Sequence, residues 1–242
     1  MGAVRAVSEI AVPARPPRLT VVVMAYNEAA NLGPVVQEIR LQLDALDGPA
    51  EILVVDDGSR DGTGAFADRL AEMVIGLRVI HHQANGGLGE VYRTGFREAA
   101  GETITFFPAD GQFPASILAA FFAEMTGLDL LLGHARREDS PLGRLLSAAE
   151  RTAYRLLFGP LPPFQGVFMV RRQALRTIAL RSEGRGWAIV MELLVRASRA
   201  GWRIKSMPTP FRPRLSGRSK VQNFGTVWAN FRQMLALRHQ LR

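Results

Sequence analysis

The first half of the chain alternates between short apolar runs and amphipathic segments. The runs LTVVVMA, EILVVDD, LRVIHH, TITFFP and LDLLLG are rich in β-branched and aromatic residues and are apolar on both faces. This pattern is typical of strands buried on both sides in a parallel sheet. Helical spacing follows the first run, where the apolar positions are Leu32, Val35, Val36, Ile39, Leu43 and Leu46, with Pro34 expected in the first helical turn.

Further helices are expected near residues 63–73, after the glycines of NGGLGEVYRTGFREA, and over 114–125. The regular alternation of strand and helix predicts an α/β fold, an α/β/α sandwich with a mostly parallel central sheet. The pattern is looser beyond Gly133. There we predict a helix over 142–158, a strand at GVFMVRR, a helix over 189–200 and a loop at PTPFRPRLSGRSK.

The length of 242 residues fits one domain with small appendages. We predict a flexible N-terminal arm over residues 1–17, a main domain over 18–225 and an amphipathic helix over 226–242. The apolar stripe of that last helix either packs on the core or lies at a membrane surface. The stripe is formed by Val227, Phe231, Met234, Leu235 and Leu241, and Trp228 lies beside it.

Composition narrows the chemistry. The chain has no cysteine, which excludes disulfides and thiolate metal sites, and its four histidines lack zinc spacing. Any metal is therefore expected to be a hard cation held by oxygen atoms. We find no signal peptide and no apolar run long enough to span a bilayer, so we expect a cytoplasmic protein.

Positive charge is concentrated at the C-terminal end. The last 50 residues contain 11 Lys and Arg and no acid, whereas the whole chain carries a net charge of +8. The arginines either coat an exposed surface or bind an anion such as phosphate. The segment lacks a nucleic-acid recognition module, so no nucleic-acid partner is expected.

Polar clusters follow three of the predicted strands, at the strand ends where α/β sheets bind ligands. They are AYNEAANL, VDDGSRDGT and PADGQ. Asp56 and Asp57 could accept hydrogen bonds from a base or ribose, although Asp and Ser are also common helix caps. Asp110 and Gln112 offer two oxygen ligands for Mg²⁺ or Mn²⁺, although Asp110 could equally belong to a simple turn.

Taken together, six segments resemble the family-2 glycosyltransferases, which have the GT-A nucleotide-sugar-binding fold, and among them the dolichyl- or polyprenyl-phosphate sugar synthases. The segments are VVVMAYNEAANL, ILVVDDGSRDGT, NGGLGEVYRTGF, PADGQFP, GWAIVMELLVRASRAG and RLSGRSK. They follow the family order from about residue 19 to residue 220 and cover most of the chain.

The resemblance implies a role for each matching residue. Asp57 would read the base, Asp110 and Gln112 would hold the metal, and Arg214 would assist catalysis on the diphosphate. The other residues that would bind the nucleotide-sugar or its phosphates are Ala25, Tyr26, Asn27, Glu28, Gly86, Gly87, Leu88, Arg93, Arg136, Ser219 and Lys220.

Two positions depart from the family pattern. Pro108 stands where the first acid of Asp-x-Asp is usual, and Pro163, Phe164 and Gln165 replace a segment that commonly carries an Asp. Asp110 could suffice as the acidic metal ligand because the diphosphate helps to hold the cation. Alternatively, arginines could supply the positive charge in place of the metal, or catalysis could be lost.

The resemblance implies an inverting transfer from a UDP- or GDP-sugar to a polyprenyl phosphate, with possible association at a membrane surface. Glu192 is the acid closest to the matching segment and could act as a base, or it could pair with Arg196 one helical turn away. Two other functions stay open. One is a soluble glycosyltransferase acting on a small-molecule or protein hydroxyl, and the other is a nucleotide-sugar-binding pseudoenzyme or scaffold.

Overall fold

The protein is described here by a computed structural model that covers residues 16–135, 152, 155–215 and 238. Its strands are β1 (Leu19–Ala25), β2 (Ala50–Asp56), β3 (Leu77–His81), β4 (Thr103–Pro108), β5 (Leu130–Ala135), β6 (Phe168–Arg171) and β7 (Ile204–Thr209). Its helices are α1 (Ala29–Asp44), α2 (Thr63–Met73), α3 (Leu88–Glu98), α4 (Ile117–Glu124), α5 (Arg172–Leu175) and α6 (Ala188–Arg199).

The seven strands form one sheet in the order β3-β2-β1-β4-β6-β5-β7. Strands β1 to β4 are mutually parallel and β5 is parallel to β7, whereas β6 runs antiparallel to both of its neighbours. The predicted mostly parallel sheet is thus confirmed. The single antiparallel strand was not predicted, because an apolar run has the same pattern in either direction.

Alternate side chains of the strands enter two apolar layers. In β1, Val21 and Val23 pack beneath α1, α2 and α4, whereas Val22 and Met24 pack on the opposite side with α3 and α6. This is the period of two expected for a strand. The result is the predicted three-layer sandwich.

The chain order reverses between β1 and β4. Strands β2 and β3 lie on one side of β1, and β4 with the later strands lies on the other. A crevice forms at the carboxyl ends of the strands at such a switch point, where the connections leave in opposite directions. The segments after β1, β2 and β4 meet there.

Helix α1 begins earlier than its sequence suggests. It starts at Ala29, so Pro34 is its sixth residue and lies beyond the first turn where it was expected. Proline lacks the N–H that would bond the carbonyl of Ala30. Both residues are on the exposed face of the helix, where water can satisfy that carbonyl.

Strand β7 was also not predicted. Its sequence IKSMPT has no apolar run, and only the last of its six residues is buried. The prediction of a loop beginning at Pro208 is wrong for its first two residues, because β7 extends to Thr209 and pairs with β5.

Several predictions fall on other parts of the chain. Most of the arm over 1–17, most of the helix over 142–158 and all but one residue of the helix over 226–242 lie outside the described residues. Residues 155–158 are helical. Within the described part of the chain, no helix has both the length and the apolar character needed to cross a bilayer.

Candidate active site

The loop after β1 is fastened to the loop after β2. Asn27 has a positive φ of 52°, a conformation that asparagine tolerates better than most residues. Its backbone N–H donates to the Ser59 hydroxyl at 2.9 Å, and its side-chain oxygen accepts from the Arg60 N–H at 2.8 Å. The Glu28 N–H donates to the Thr63 hydroxyl at 2.8 Å. These bonds hold Asn27 and Glu28, two of the predicted nucleotide-binding residues, at the switch point.

The other two predicted residues of this segment differ in exposure. Ala25 is 2% exposed and belongs to the apolar core, and its carbonyl accepts from the Asp57 N–H at 2.9 Å. Tyr26 is partly exposed. The side chain of Glu28 accepts from the Asn31 amide at 2.6 Å.

Asp57 is buried, and internal donors use both of its carboxylate oxygens. Oδ1 accepts from the Gly86 N–H and from His82 Nδ1, both at 2.8 Å. Oδ2 accepts from the Gly87 N–H at 2.8 Å and from the Asn85 amide at 3.0 Å. A carboxylate offers about four lone-pair positions, and four donors already occupy them. A base could bind Asp57 only if one of these donors moved.

His82 was not predicted as a site residue. Its Nε2 lies 2.9 Å from the Thr94 hydroxyl of α3, and its Nδ1 binds Asp57. The ring therefore links the end of β3, the loop after β2 and α3. The spacing of the four histidines gave evidence only against a zinc site. No short-range sequence pattern predicts the contacts of His82 with Asp57 and Thr94.

The neighbouring His81 lies between two acids. Its Nδ1 is 3.1 Å from Asp56 and its Nε2 is 2.9 Å from Asp68. Burial of the ring disfavours the charged form, but the hydrogen bonds and negative charges of Asp68 and Asp56 outweigh it and raise the pKa of His81.

The predicted glycine loop leads into α3 and is covered by the 181–187 loop. The Gly89 N–H donates to the Arg185 carbonyl at 2.9 Å, and a Cβ on Gly89 would overlap the Gly184 carbonyl oxygen. Leu88, the third residue predicted there, begins α3 and is partly exposed. Glycine at position 89 therefore allows close backbone approach.

Arg93 faces this same loop. Its guanidinium donates to the Ser182 carbonyl at 2.8 Å and to the Gly184 carbonyl at 3.4 Å, and it pairs with Glu90 at 2.6 Å. The hydrogen bond and the charge of Arg93 lower the pKa of Glu90. The guanidinium of Arg93 is therefore engaged by the Ser182 and Gly184 carbonyls and by Glu90. Its contact with a nucleotide stays a prediction.

Glu192 is fully buried in α6. Its carboxylate accepts from the backbone N–H groups of Arg181 at 2.8 Å and Ser182 at 2.7 Å, and it pairs with Arg196 at 2.7 Å. The ion pair between Glu192 and Arg196, which was one of the two roles expected from the sequence, is therefore present. In this arrangement the carboxylate supports the 181–187 loop and is not accessible to an acceptor.

The loop after β4 presents Asp110 at the switch point. Asp110 is 6% exposed, and its Oδ1 accepts from the Gln112 N–H at 3.0 Å. Pro108, at the end of β4, pairs in register with Met24 of β1. Asp110 therefore lies beside the end of β1, at the carboxyl edge of the sheet where α/β folds bind ligands.

A segment of the basic C-terminal part, residues 211–215, lies on this loop. The Arg212 N–H donates to the Gln112 carbonyl at 2.9 Å, and the Leu215 N–H donates to the Asp110 carbonyl at 3.2 Å. These main-chain bonds place the segment along the loop after β4. Such long-range pairing could not be read from the sequence.

Arg214 links the two predicted acids of the crevice. Its guanidinium lies 2.9 Å from Asp110 Oδ2 and 3.6 Å from Glu28 Oε1. All three side chains are largely buried. The structure thus brings together three residues that are far apart in the sequence and that the sequence assigned to the site.

A divalent cation would find few ligands here. Among the described residues, no group of three or more His, Cys, Asp or Glu could hold a metal ion. Asp110 and Gln112 could provide two oxygens, and Arg214 already pairs with Asp110. The site therefore fits a cation only if the donor diphosphate supplies further oxygen ligands.

Three other predicted residues, Arg136, Ser219 and Lys220, lie outside the described residues. Their assignment to the phosphates stays a prediction.

Comparisons with known proteins agree with this architecture. Residues 20–178 match the family model Glycosyl transferase family 2. The chain is 27% identical to a dolichol-phosphate mannosyltransferase of Mycosarcoma maydis over 93% of its length and 80% of the relative's. It is 31% identical to a polyprenol monophosphomannose synthase of Mycolicibacterium smegmatis, over 89% of its length and 85% of the relative's.

A similar solved structure is glucosyl-3-phosphoglycerate synthase from Mycobacterium tuberculosis in complex with Mn²⁺, UDP-glucose and phosphoglyceric acid. It shares 19% identity with a TM-score of 0.69, over 92% of this chain and 80% of that one. This likeness supports the GT-A fold. The matched family model covers well over half of the chain, and the chain belongs to glycosyltransferase family 2.

Proposed function

We propose that this glycosyltransferase transfers a sugar from a UDP- or GDP-sugar to a polyprenyl phosphate with inversion at the anomeric carbon. The contact of Arg214 with both Asp110 and Glu28 carries this proposal. It assembles a cation and two acids at the switch point, which is the part of an open α/β sheet that binds nucleotides.

The donor diphosphate needs positive charge around it, because negative charge builds up on it as the sugar leaves. The Arg214 guanidinium can donate to two phosphate oxygens at once. Held by Asp110 and Glu28, it needs little reorientation to stabilise that charge. A divalent cation bound by Asp110, Gln112 and the diphosphate would supply further positive charge.

The transfer is a direct displacement. An acceptor oxygen forms a new bond to C1 of the sugar while the bond from C1 to the diphosphate oxygen breaks, and the nucleoside diphosphate keeps the electron pair. A polyprenyl phosphate is ionised at neutral pH, so it needs no general base. The inaccessible carboxylate of Glu192 is compatible with such an acceptor.

The names of the relatives support a lipid-phosphate acceptor. The relatives from M. maydis and M. smegmatis are named for transfer to dolichol phosphate and polyprenol phosphate. We extend this acceptor class to the present chain, with contact to a membrane surface through its basic C-terminal part. The 226–242 segment is the part we assign to that contact, whereas Arg136, Ser219 and Lys220 are assigned to the phosphates of the donor.

A water-soluble acceptor is the second candidate. The segment Pro163, Phe164 and Gln165 departs from the family pattern and lies beside β5 and β7. The Pro163 carbonyl accepts from the Ser206 hydroxyl at 2.8 Å, and Gln165 forms a β-bridge with His134. A changed segment on this side could accommodate a different acceptor, such as a small-molecule or protein hydroxyl.

Calorimetric titration with UDP and GDP, with and without Mn²⁺, tests the donor site. We expect binding that prefers one base and strengthens with Mn²⁺, and we expect Asp110→Ala to abolish that gain. Transfer from the preferred nucleotide-sugar to a short polyprenyl phosphate in detergent then tests the acceptor. Turnover only with a water-soluble acceptor would select the second candidate, binding without any transfer would indicate a pseudoenzyme, and absence of nucleotide binding would contradict the donor site.

A further inference from the structure

Asn85 lies between Asp57 and the 181–187 loop. Its Nδ2 donates to Asp57 Oδ2 at 3.0 Å, and its Oδ1 accepts from the Arg185 guanidinium at 2.6 Å. The same guanidinium donates to the Asn85 backbone carbonyl at 2.8 Å. Since arginine can only donate and a carboxylate can only accept, the two contacts fix which end of the amide faces Asp57.

The backbone around Arg185 is held in place. The Gly89 N–H donates to the Arg185 carbonyl, and Arg93 donates to the Ser182 and Gly184 carbonyls. Glu192 accepts from the Ser182 N–H at 2.7 Å. Arg185 therefore orients Asn85 from a loop that is anchored to two helices, α3 and α6.

Of the four donors that occupy Asp57, Asn85 is the one that can leave without disturbing the fold. The Gly86 and Gly87 donors are backbone groups in the turn just before α3. The His82 ring is held on its far side by Thr94. The second partner of the Asn85 amide, by contrast, is the side chain of the exposed Arg185, which can follow the amide as it turns about its own side-chain torsions.

We propose that Asn85, oriented by Arg185, reads the donor base together with Asp57; this inference rests on the proposed donor site. Uracil and guanine each present an N–H next to a carbonyl. The base N–H would take the place of Asn85 on Asp57, and the displaced amide would donate to the base carbonyl. One internal hydrogen bond is thereby exchanged for two bonds to the base.

The same pair of residues discriminates against other bases. In the same pose, cytosine and adenine place a bare ring nitrogen against the Asp57 carboxylate and an amino group against the Asn85 amide, so an acceptor meets an acceptor and a donor meets a donor. A site built from hydrogen-bonding groups rejects a mismatched partner because its own polar groups are then left unpaired. Asn85 is thus a specificity-determining residue, and Arg185 is a positioning residue.

Calorimetric titration of the full chain with UDP, GDP, CDP and ADP tests this inference. For the wild-type protein we expect UDP or GDP to bind more tightly than CDP and ADP. Asn85→Ala should reduce that preference by about tenfold, the effect of one hydrogen bond. Arg185→Gln should reduce it by a smaller factor, and Arg185→Lys should restore part of it.

Arg181→Gln is the matched control. Arg181 is an exposed arginine of the same loop, and its backbone N–H rather than its side chain holds Glu192. This variant should keep the wild-type base preference. Circular dichroism and thermal unfolding of each variant check that the fold is retained.

An unchanged base preference in Asn85→Ala would overturn the inference. An equal loss of affinity for all four nucleotides would also overturn it, because Asn85 and Arg185 would then only support the structure of the site. Both results leave nucleotide binding by the wild-type protein intact, so the proposed function would stand. If the wild-type protein binds none of the four nucleotides, the proposed function and this inference fail together.

Discussion

The guanidinium of Arg214 lies 2.9 Å from the carboxylate of Asp110, although the two residues are 104 positions apart in the numbering. The pair joins the basic C-terminal part of the chain to the loop after β4. In the proposed reaction, Arg214 stays on this carboxylate and uses its remaining N–H donors for the leaving diphosphate. The ion pair thus neutralises the charge of the largely buried Arg214 guanidinium and holds it in position before the donor binds.

Replacement of Arg214 should weaken the donor site. We expect Arg214→Gln to lower the affinity for the preferred nucleoside diphosphate by about tenfold or more, because a charge-assisted hydrogen bond is lost. Calorimetric titration without metal measures the effect. Arg203→Gln is the control for the loss of one positive charge, since Arg203 pairs with Asp129 on the surface. Wild-type affinity in Arg214→Gln would contradict the role of Arg214.

Restoring an acid at position 108 should strengthen metal binding. We expect Pro108→Asp to increase the gain in donor affinity caused by Mn²⁺ by about tenfold, because a second carboxylate adds charge and an oxygen ligand. Pro108→Asn is the matched control, with similar size and no charge. Titration with the nucleotide at several Mn²⁺ concentrations measures the gain. If both variants behave alike, the replacement of the usual acid does not limit the cation site.

Much of the sheet could be predicted because its strands are buried on both faces. Strands β1 and β4 have the predicted bounds, Leu19–Ala25 and Thr103–Pro108. Their parallel orientation was predicted because a helix follows each of the first strands in the sequence. Strand β7 could not be found in the same way, because it is half-buried and contains Pro208, so its pairing with β5 depends on tertiary contacts.

The place of the site was predictable, but its internal contacts were not. Polar segments after β1, β2 and β4 indicated which ends of the sheet carry the chemistry. In contrast, Arg185 contacts Asn85 across 100 positions of sequence, and no local pattern encodes that pairing. From the sequence, Glu192 could be either a general base or the ion-pair partner of Arg196. Its complete burial in the structure favours the ion pair.

Glu192 is expected to contribute to stability more than to catalysis. Glu192→Gln keeps one acceptor oxygen but removes the charge that pairs with Arg196, so we expect the free energy of unfolding to fall by about 2 kcal/mol. The kcat should change by less than about fivefold, whereas loss of a general base typically costs about a hundredfold or more. Urea unfolding and initial-rate kinetics measure both. A large fall in kcat with unchanged stability would contradict this assignment.

Close packing of the 181–187 loop on α3 predicts a strong effect at Gly89. We expect Gly89→Ala to destabilise the protein by about 2 kcal/mol, because the new Cβ would overlap the Gly184 carbonyl and displace the loop. Gly33→Ala in α1 is the matched control: its Cβ would lie 3.1 Å from the edge of the Phe66 ring, a side chain that can shift. The control should stay within about 1 kcal/mol of wild type in chemical unfolding. Equal effects of the two changes would contradict the tight contact.

His81 should make stability depend on pH. Its pKa is raised in the folded protein because the bonds and charges of Asp68 and Asp56 outweigh the effect of burial. The resulting stabilisation is fully present below the unfolded pKa of about 6.5 and is lost as the pH rises through the raised folded value. We therefore expect His81→Gln to flatten the fall in unfolding free energy as the pH rises above about 6.5, measured by urea unfolding. Asp68→Asn, which leaves Asp56 as a partner, should give an intermediate slope, and a wild-type slope in His81→Gln would assign the pH dependence to other groups.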